Sequence, residues 1–327
     1  MRPIRRILVA IKDPTAKSLP AVAKGAQLAR AFGAHLDLFH GIATPLYVDA
    51  YSYDETIPEI ERKTRTEKLA ELELIAAKLR QSELQVSTSV AWDFPTHEAI
   101  VRRAIRDKVD LIVAECHGKP HILPGLLHLT DWELLRTSPM PVLLVKTPTP
   151  YRRPVVLAAV DPAHAFSKPV KLDDEILKAA KSVSQALRGP LHAVHAYVPL
   201  PTVAPTRQLL TESAMKRLAA QIRKAARQTF SRAVRPASIP AARCHLVARH
   251  PIDAIAQTAR KTGAGIVVMG AMSRSGLKRF FFGNTAEALL DALTCDLLIV
   301  KPADFVNRVE KRIRGVRFTS TLVSPMF

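Results

Sequence analysis

The sequence predicts an α/β protein made of two tandem, doubly wound sheets, each with five parallel strands. Short apolar runs that suit strands buried on both faces alternate with segments of helical periodicity. The same order of segments then occurs a second time along the chain. At 327 residues, the chain suits two domains of about 150 residues each.

The first half contains five predicted strands separated by four predicted helices. Gly33 is expected to end the first helix, because glycine accepts the left-handed backbone that stops a helix. On the second helix we expect one inward face, formed by Leu69, Leu72, Ile75 and Leu79. The predicted strands are 5–12, 35–42, 84–92, 111–114 and 142–146, and the predicted helices are 18–32, 57–79, 96–108 and 131–136.

Segments of the first half return in the second at a constant spacing. Val145 corresponds to Val300 and Thr130 to Thr285, and both pairs lie 155 positions apart. The duplication predicts domains at 1–147 and 153–304, followed by a basic tail at 305–327. The matching segments are ILVAIKD with VVLAAVD, DLFHGI with HAVHAY, WDFPTHEAI with VARHPIDAI, VDLIVAECH with AGIVVMGAM, and VLLVKTP with LLIVKPA.

The charge of the chain favours anionic partners. Lys and Arg number 48 against 29 Asp and Glu, which gives a net charge of +19. Nucleic acid or an acidic membrane surface would suit Lys278, Arg279 and the basic tail. The alternative is a solvated basic surface without a specific partner. Aromatic residues, at 6%, are too sparse to favour a platform for stacking single-stranded bases.

The cysteine pattern and the N-terminus favour a cytoplasmic protein. Cys116, Cys244 and Cys295 are widely spaced and form neither a disulfide framework nor a zinc knuckle. The apolar run near the N-terminus, ILVAI, is too short for a signal-peptide core. No apolar stretch reaches the roughly 18 residues that a membrane-spanning helix requires.

The stretch 264–285 has the parts of a phosphate-binding loop. An apolar run at 266–269 ends at Gly270, and Asn284 or Thr285 is placed to cap a following helix. Free backbone N–H groups, the helix dipole and nearby cations favour an anion at such a place. The connecting loop is polar and basic, with Ser273, Arg274, Ser275, Gly276, Lys278, Arg279 and Gly283.

These motifs resemble the universal stress protein family in its tandem form, over the chain to about residue 304. The resemblance rests on an aspartate after the first strand of each repeat, on VVMGAMSRSG with FFFGNTAEALLDALTCDLLIVKP, and on TDWELLRTSPMPVLLVK. Nucleotide-binding members carry Gly, two residues, Gly, nine residues, Gly, then Ser or Thr. The second repeat has Ser273 at the middle glycine and Asn284 at the hydroxyl position. The resemblance implies an ATP or AMP site, weakened here, at Asp161, Gly270, Ser273, Gly276, Gly283, Asn284 and Thr285.

The first repeat departs further from the family's nucleotide-binding pattern. Glu115 stands at the first glycine, Gly118 keeps the middle one, and His128 replaces the last. A carboxylate at the strand end repels phosphate, so we expect no nucleotide there unless Glu115 points away. Asp13 matches the family's strand-end aspartate, and a turn-capping role for it is an equal alternative.

The resemblance also implies a Rossmann-like fold of the adenine nucleotide alpha hydrolase type and a non-enzymatic stress-response role. The two repeats would pair around their fifth strands as an intramolecular pseudo-dimer, and a homodimer is a further expectation. The alternatives are a protein that binds and weakly hydrolyses ATP, and a protein that binds anionic surfaces. No catalytic residue is assigned.

Other chemistries have weaker support in the sequence. Cys116, His117, His121 and His128 could line a metal site, but their spacing matches no strong zinc pattern, and none is assigned. His192 and His195 are expected to serve packing, as are Trp92 and Trp132. Aromatic and apolar side chains in the connections after the second strands would suit an amphipathic ligand. They are Tyr47, Tyr51, Tyr53, Pro199, Leu200, Pro201, Val203 and Pro205.

Overall fold

The protein divides into two compact units of alternating strands and helices. The N-terminal unit is formed mainly by 4–115 and 121–140, and the C-terminal unit mainly by 141–305. This computed structural model describes residues 3–42, 56–116, 129–162, 172–198, 211–270, 289, 292–302, 304–307 and 309–310.

The N-terminal unit has four parallel strands in the order β3-β2-β1-β4. Strand order therefore reverses between β1 and β4, which is where doubly wound sheets bind ligands. Its elements are β1 Arg6–Ile11, α1 Pro20–Phe32, β2 His35–Ile42, α2 Thr56–Arg80, β3 Val86–Trp92, α3 Thr96–Arg106, β4 Leu111–Glu115 and α4 Leu129–Thr137.

The C-terminal unit has strands in the order β5-β10-β9-β6-β7-β8. All neighbours are parallel except β5 and β10, which pair antiparallel with Leu144 opposite Leu297. Here the equivalent reversal of strand order lies between β6 and β9. Its elements are β5 Val142–Val145, β6 Val155–Ala159, α5 Leu172–Ala186, β7 Leu191–Ala196, α6 Glu212–Val234, β8 Cys244–Val247, α7 Pro251–Thr262, β9 Ala264–Gly270 and β10 Asp296–Val300.

The predicted α/β class is confirmed, and the apolar runs are buried as expected. Ile7, Leu8 and Val9 on β1 have no exposed surface, and neither do Leu297 and Ile299 on β10. Burial of each such side chain contributes about 1.5 to 3 kcal/mol before the cost of ordering is subtracted. By compact unit the strands divide four and six, because β5 belongs with the C-terminal unit.

Helix ends and faces differ in detail from the predictions. Gly33 does end α1, with a left-handed backbone at φ 63°. The predicted inward face of α2 is partly wrong, since Leu69 is 38% exposed while Leu72 and Ala76 are fully buried. The buried stripe is centred on Leu72 and Ala76, four residues apart, and Leu69 lies at its margin.

Candidate functional site

Strand order reverses between β1 and β4 and between β6 and β9. Doubly wound sheets bind ligands beyond the carboxyl ends of such strands, so we call these two places the first and the second crevice. The structure describes their strand-end residues Asp13, Glu115, Asp161 and Gly270. The predicted loop residues lie outside the described residues: Gly118, His128, Ser273, Gly276, Lys278, Arg279, Gly283, Asn284 and Thr285. The metal-site alternative at His117, His121 and His128 and the connections at 43–55 and 199–210 also lie outside them.

Asp13 forms a local turn at the end of β1. Its Oδ1 accepts hydrogen bonds from the backbone N of Thr15 at 2.9 Å and from the Thr15 hydroxyl at 2.6 Å. These two bonds hold the pKa of the exposed Asp13 carboxyl below its ordinary value. The carboxylate is therefore charged at neutral pH, and one of its oxygens is already engaged by the chain.

Glu115 turns its carboxylate onto the N-terminus of α1. Its Oε1 accepts the backbone N–H of Ala21 at 3.2 Å. The N-cap residue Leu19 has no side chain that can make this bond, so a residue from β4 supplies the missing acceptor. A carboxylate of the protein thus occupies a place that favours an anion, at the position where the family motif has glycine.

Gly270 has a packing reason to be glycine. A Cβ at this position would lie 2.6 Å from Cδ2 of Leu172 and 3.1 Å from Cδ1 of Ile176. Leu172 is the first residue of α5 and is fully buried. The end of β9 is therefore covered by apolar side chains of α5, and a larger residue would push that helix away.

Asp161 lies beside a second carboxylate at the start of α5. Its backbone N–H is shared between the two carboxylate oxygens of Asp173, at 3.1 and 3.2 Å. Asp173 is only 5% exposed, and Asp161 is half-buried. Two acidic residues therefore meet at the start of α5, where the adjoining Leu172 packs against Gly270.

His40 and His195 occupy equivalent positions in the two repeats, and the sequence patterns above did not indicate a shared role for them. They lie 155 positions apart, the spacing of the duplication. His40 Nδ1 donates to the carbonyl of Ile11 at 2.9 Å, and His195 Nδ1 donates to the carbonyl of Val160 at 3.2 Å. His195 also packs against Phe230 of α6. Each buried imidazole ties the end of the second strand of its repeat to the backbone just before the strand-end aspartate.

His192 and His245 form an imidazole pair between β7 and β8. Nδ1 of His192 lies 3.0 Å from Nε2 of His245, and the rings are 9° from parallel with centroids 5.3 Å apart. Two ring nitrogens at this distance share one proton. Burial lowers the pKa of both side chains, helped by Arg243 near His192 and by Lys261 near His245.

Acidification from pH 7.5 to 5.5 is expected to lower the melting temperature. Burial depresses the pKa of His40, His97, His192 and His245 below the ordinary value of 6.5. Below about pH 6.5 the unfolded chain therefore binds protons that the folded chain does not, and the free energy of unfolding decreases. Thermal unfolding followed by circular dichroism would test this. The His192→Gln/His245→Gln variant should show a shallower pH dependence, and a constant melting temperature in wild type would contradict the assignment.

A polar cluster on β2 and β3 has the composition of a hydrolytic triad but not its geometry. Ser87 donates its hydroxyl proton to Oδ1 of Asp37, and His35 Nε2 lies 2.9 Å from Ser87 Oγ and 3.3 Å from Asp37 Oδ1. A triad needs the carboxylate at Nδ1 of the histidine and the serine at Nε2. Here one nitrogen faces both groups and acts as a donor, so His35 cannot take a proton from Ser87.

The remaining predicted features have mixed outcomes. Trp92 is buried as expected, and Trp132 is half-buried. At the start of the tail, Val306 is 70% exposed, whereas Val309 is buried and its backbone is bonded to Asn307. No group of three metal-binding side chains occurs among the described residues. Within that same part of the chain, no helix combines the length and the apolar character needed to cross a membrane.

The chain is similar to known proteins over nearly its whole length. It is 28% identical over 322 residues to universal stress protein E of Salmonella typhi, covering 93% of this chain and 96% of that one. The crystal structure of a functionally unknown protein from Pseudomonas aeruginosa superposes with a TM-score of 0.68 at 27% identity, covering 92% and 94%. A universal stress protein from Archaeoglobus fulgidus shares the fold, with a TM-score of 0.60, 18% identity, and coverage of 90% and 98%.

The family profile described as universal stress protein family matches the chain twice, at residues 3–146 and 156–301. The two matches fall in the two halves of the internal duplication. The Salmonella typhi relative matches the chain over 96% of its own length. The chain therefore belongs to the universal stress protein family, in the tandem form typified by universal stress protein E.

Proposed function

We propose that the protein is a non-enzymatic stress-response protein whose ligand site is the second crevice. This site prefers a small or amphipathic molecule to a nucleoside triphosphate. The observation that carries the proposal is the buried Asp173 carboxylate beside Asp161. The phosphates of a nucleotide would have to approach these like charges. Repulsion between such charges is strong where water is excluded.

Apolar packing at the same place supports an amphipathic ligand. Leu172 and Ile176 cover the end of β9 next to Gly270. Pockets for amphipathic molecules combine apolar walls with a few polar groups that fix orientation. Leu172 and Ile176 are fully buried and would form the apolar layer behind such a site, while the half-buried Asp161 would supply a polar group.

The first crevice is proposed to be structural or regulatory rather than ligand-binding. Glu115 supplies its own carboxylate to the N-terminus of α1. A bound phosphate would have to displace that carboxylate. The antiparallel pairing of β5 with β10 supports the further proposal that the repeats form a pseudo-dimer around their fifth strands. A cytoplasmic location remains part of the proposal.

Calorimetric titration with ATP and Mg²⁺ tests the ligand preference. We expect no binding in the micromolar range for the wild-type chain, and no release of phosphate from ATP. Ser273→Gly/Asn284→Ser/Asp173→Asn should gain measurable affinity, because it restores the family's loop residues and removes one buried negative charge. Mass spectrometry of small molecules that co-purify with the wild-type protein would identify the preferred ligand.

The matched control carries Asp174→Asn in place of Asp173→Asn. Asp174 is the exposed neighbour of Asp173 in the first turn of α5. A smaller gain in the control than in the first variant would assign the difference to the buried carboxylate. Micromolar ATP affinity in wild type would overturn the proposal in favour of a nucleotide-binding protein.

A further inference from the structure

Helix α6 carries a concentration of positive charge on its solvent face. Its 23 residues include six cations and one carboxylate, Glu212, a net charge of +5. Every cation is exposed, and Arg235 directly after the helix is exposed as well. The six are Lys216, Arg217, Arg223, Lys224, Arg227 and Arg232.

These cations are exposed around the helix, and three of them lie well away from its buried face. Ala226, Phe230 and Val234 are the buried residues of α6, and the helix packs on β8 and α5. At 100° per residue, Arg232, Arg217 and Lys224 lie roughly 160°, 140° and 120° from the centre of that face. Arg227 lies about 60° from it and is exposed at its margin. Lys216 pairs with Glu212 at 2.7 Å, and no carboxylate of the described chain lies within ion-pair distance of the other five.

The duplication supplies an internal comparison. Helix α2 occupies the equivalent place in the first repeat, between the second and third strands, and has 25 residues with six cations and five carboxylates, a net charge of +1. Three of its cations are paired along the helix, including Arg65 with Glu61 at 2.8 Å and Arg80 with Glu73 at 2.7 Å. The excess charge of α6 is therefore not a property of the scaffold that both repeats share.

We propose that the exposed face of α6 binds the phosphate backbone of double-stranded nucleic acid without base specificity. Arginine predominates among the cations, and its planar guanidinium binds phosphate oxygens in pairs. Gln221, Gln228 and Ser231 are also exposed on this helix and are donors that contact phosphates. The helix is about 35 Å long, which matches about ten base pairs of duplex.

The composition of this face favours a duplex over a membrane. A helix that lies in a membrane surface inserts large apolar side chains. The exposed residues of α6 are all charged, polar or alanine, while Phe230 and Val234 are buried and Met215, Leu218 and Ile222 are half-buried. The face also has no aromatic side chain on which unpaired bases could stack.

Fluorescence anisotropy with a fluorescein-labelled 24-base-pair DNA tests the proposal on the full chain. We expect binding at 50 mM NaCl that weakens steeply toward 250 mM. Arg217→Glu/Lys224→Glu/Arg227→Glu should lose at least tenfold in affinity at 50 mM. The slope of log K against log salt should fall in magnitude by about 2 to 3, because about one counterion is released for each phosphate contact.

The control variant is Arg62→Glu/Lys63→Glu/Lys78→Glu, which makes the same change in charge at exposed positions of α2. It should retain the affinity within about threefold, since a shift of that size corresponds to well under one lost phosphate contact. Circular dichroism verifies folding, and glutamine in place of glutamate serves if a variant unfolds. Three outcomes would overturn the proposal: no binding by wild type at 50 mM, equal losses in both variants, or an α6-dependent affinity for phosphatidylserine vesicles without one for the duplex.

Discussion

Replacing Asp296 by alanine is expected to lower the free energy of unfolding by about 3 to 4 kcal/mol, because several part-buried donors lose their acceptor together. Asp296 begins β10 and has no exposed surface. Its Oδ1 accepts the backbone N–H groups of Lys146 at 2.9 Å and Thr147 at 3.1 Å, and the Thr147 hydroxyl at 3.3 Å. Its Oδ2 accepts the hydroxyl of Tyr151 at 2.5 Å.

These bonds hold the segment that follows β5. Lys146 adds a further bond from its ammonium group to the carbonyl of Leu293. Burial and the negative charge of Asp296 raise the pKa of the Tyr151 phenol well above its ordinary value, so the phenol remains a donor at all physiological pH values. One carboxylate thus fixes the first residues of the connection between the two sequence repeats.

Urea unfolding of a graded series would measure this role. Tyr151→Phe removes one of the bonds and should cost about 1 kcal/mol, while Asp296→Asn keeps an acceptor oxygen and should fall between Tyr151→Phe and Asp296→Ala. Asp304→Ala removes an exposed carboxylate nearby in the sequence and should change stability by less than about 0.5 kcal/mol. An Asp296→Ala protein as stable as this control would show that water replaces the lost acceptor.

The order of strands and helices could be predicted because local patterns determine it. Apolar runs such as 266–269 identified buried strands, and the 155-residue spacing let each repeat support the assignment of the other. The bonds of Asp296 could not be predicted, since its partners lie 145 to 150 positions away in the chain. Pro141 occupies the equivalent position in the first repeat, so the duplication gave no signal either.

In the candidate site, too, features set by nearby sequence could be predicted, whereas contacts between distant residues could not. The strand-end positions of Asp13, Glu115, Asp161 and Gly270 followed from where each strand ends. The carboxylate that Glu115 supplies to α1 could not be foreseen, because it depends on a helix 94 residues away. A signal did exist for His40 and His195, since the duplication aligns them.

The polar cluster around Asp37 leads to the second large effect. Asp37 is 2% exposed, and its Oδ1 accepts a hydrogen bond from Ser87. His35 Nε2 lies 3.3 Å from its Oδ1, and Arg6 Nε lies 3.3 Å from its Oδ2. Asp37→Ala is expected to cost about 2 to 4 kcal/mol, because a buried hydrogen-bonded network loses its central acceptor. Arg6→Ala should cost about 1 kcal/mol or less, since the Arg6 side chain is 39% exposed and water screens the pair.

A control at the neighbouring residue distinguishes the loss of this hydrogen-bonded network from a general effect of removing a charge. Arg5 is exposed next to Arg6, so Arg5→Ala serves as the control and should be nearly neutral. Urea unfolding ranks the variants, and hydrolysis of p-nitrophenyl acetate tests whether Ser87 acts as a nucleophile. If Ser87→Ala or Asp37→Ala abolished an esterase activity of the wild type, the assignment of this cluster to stability would be wrong. The shared contacts of His35 Nε2 favour the opposite result, in which stability changes and no activity is lost.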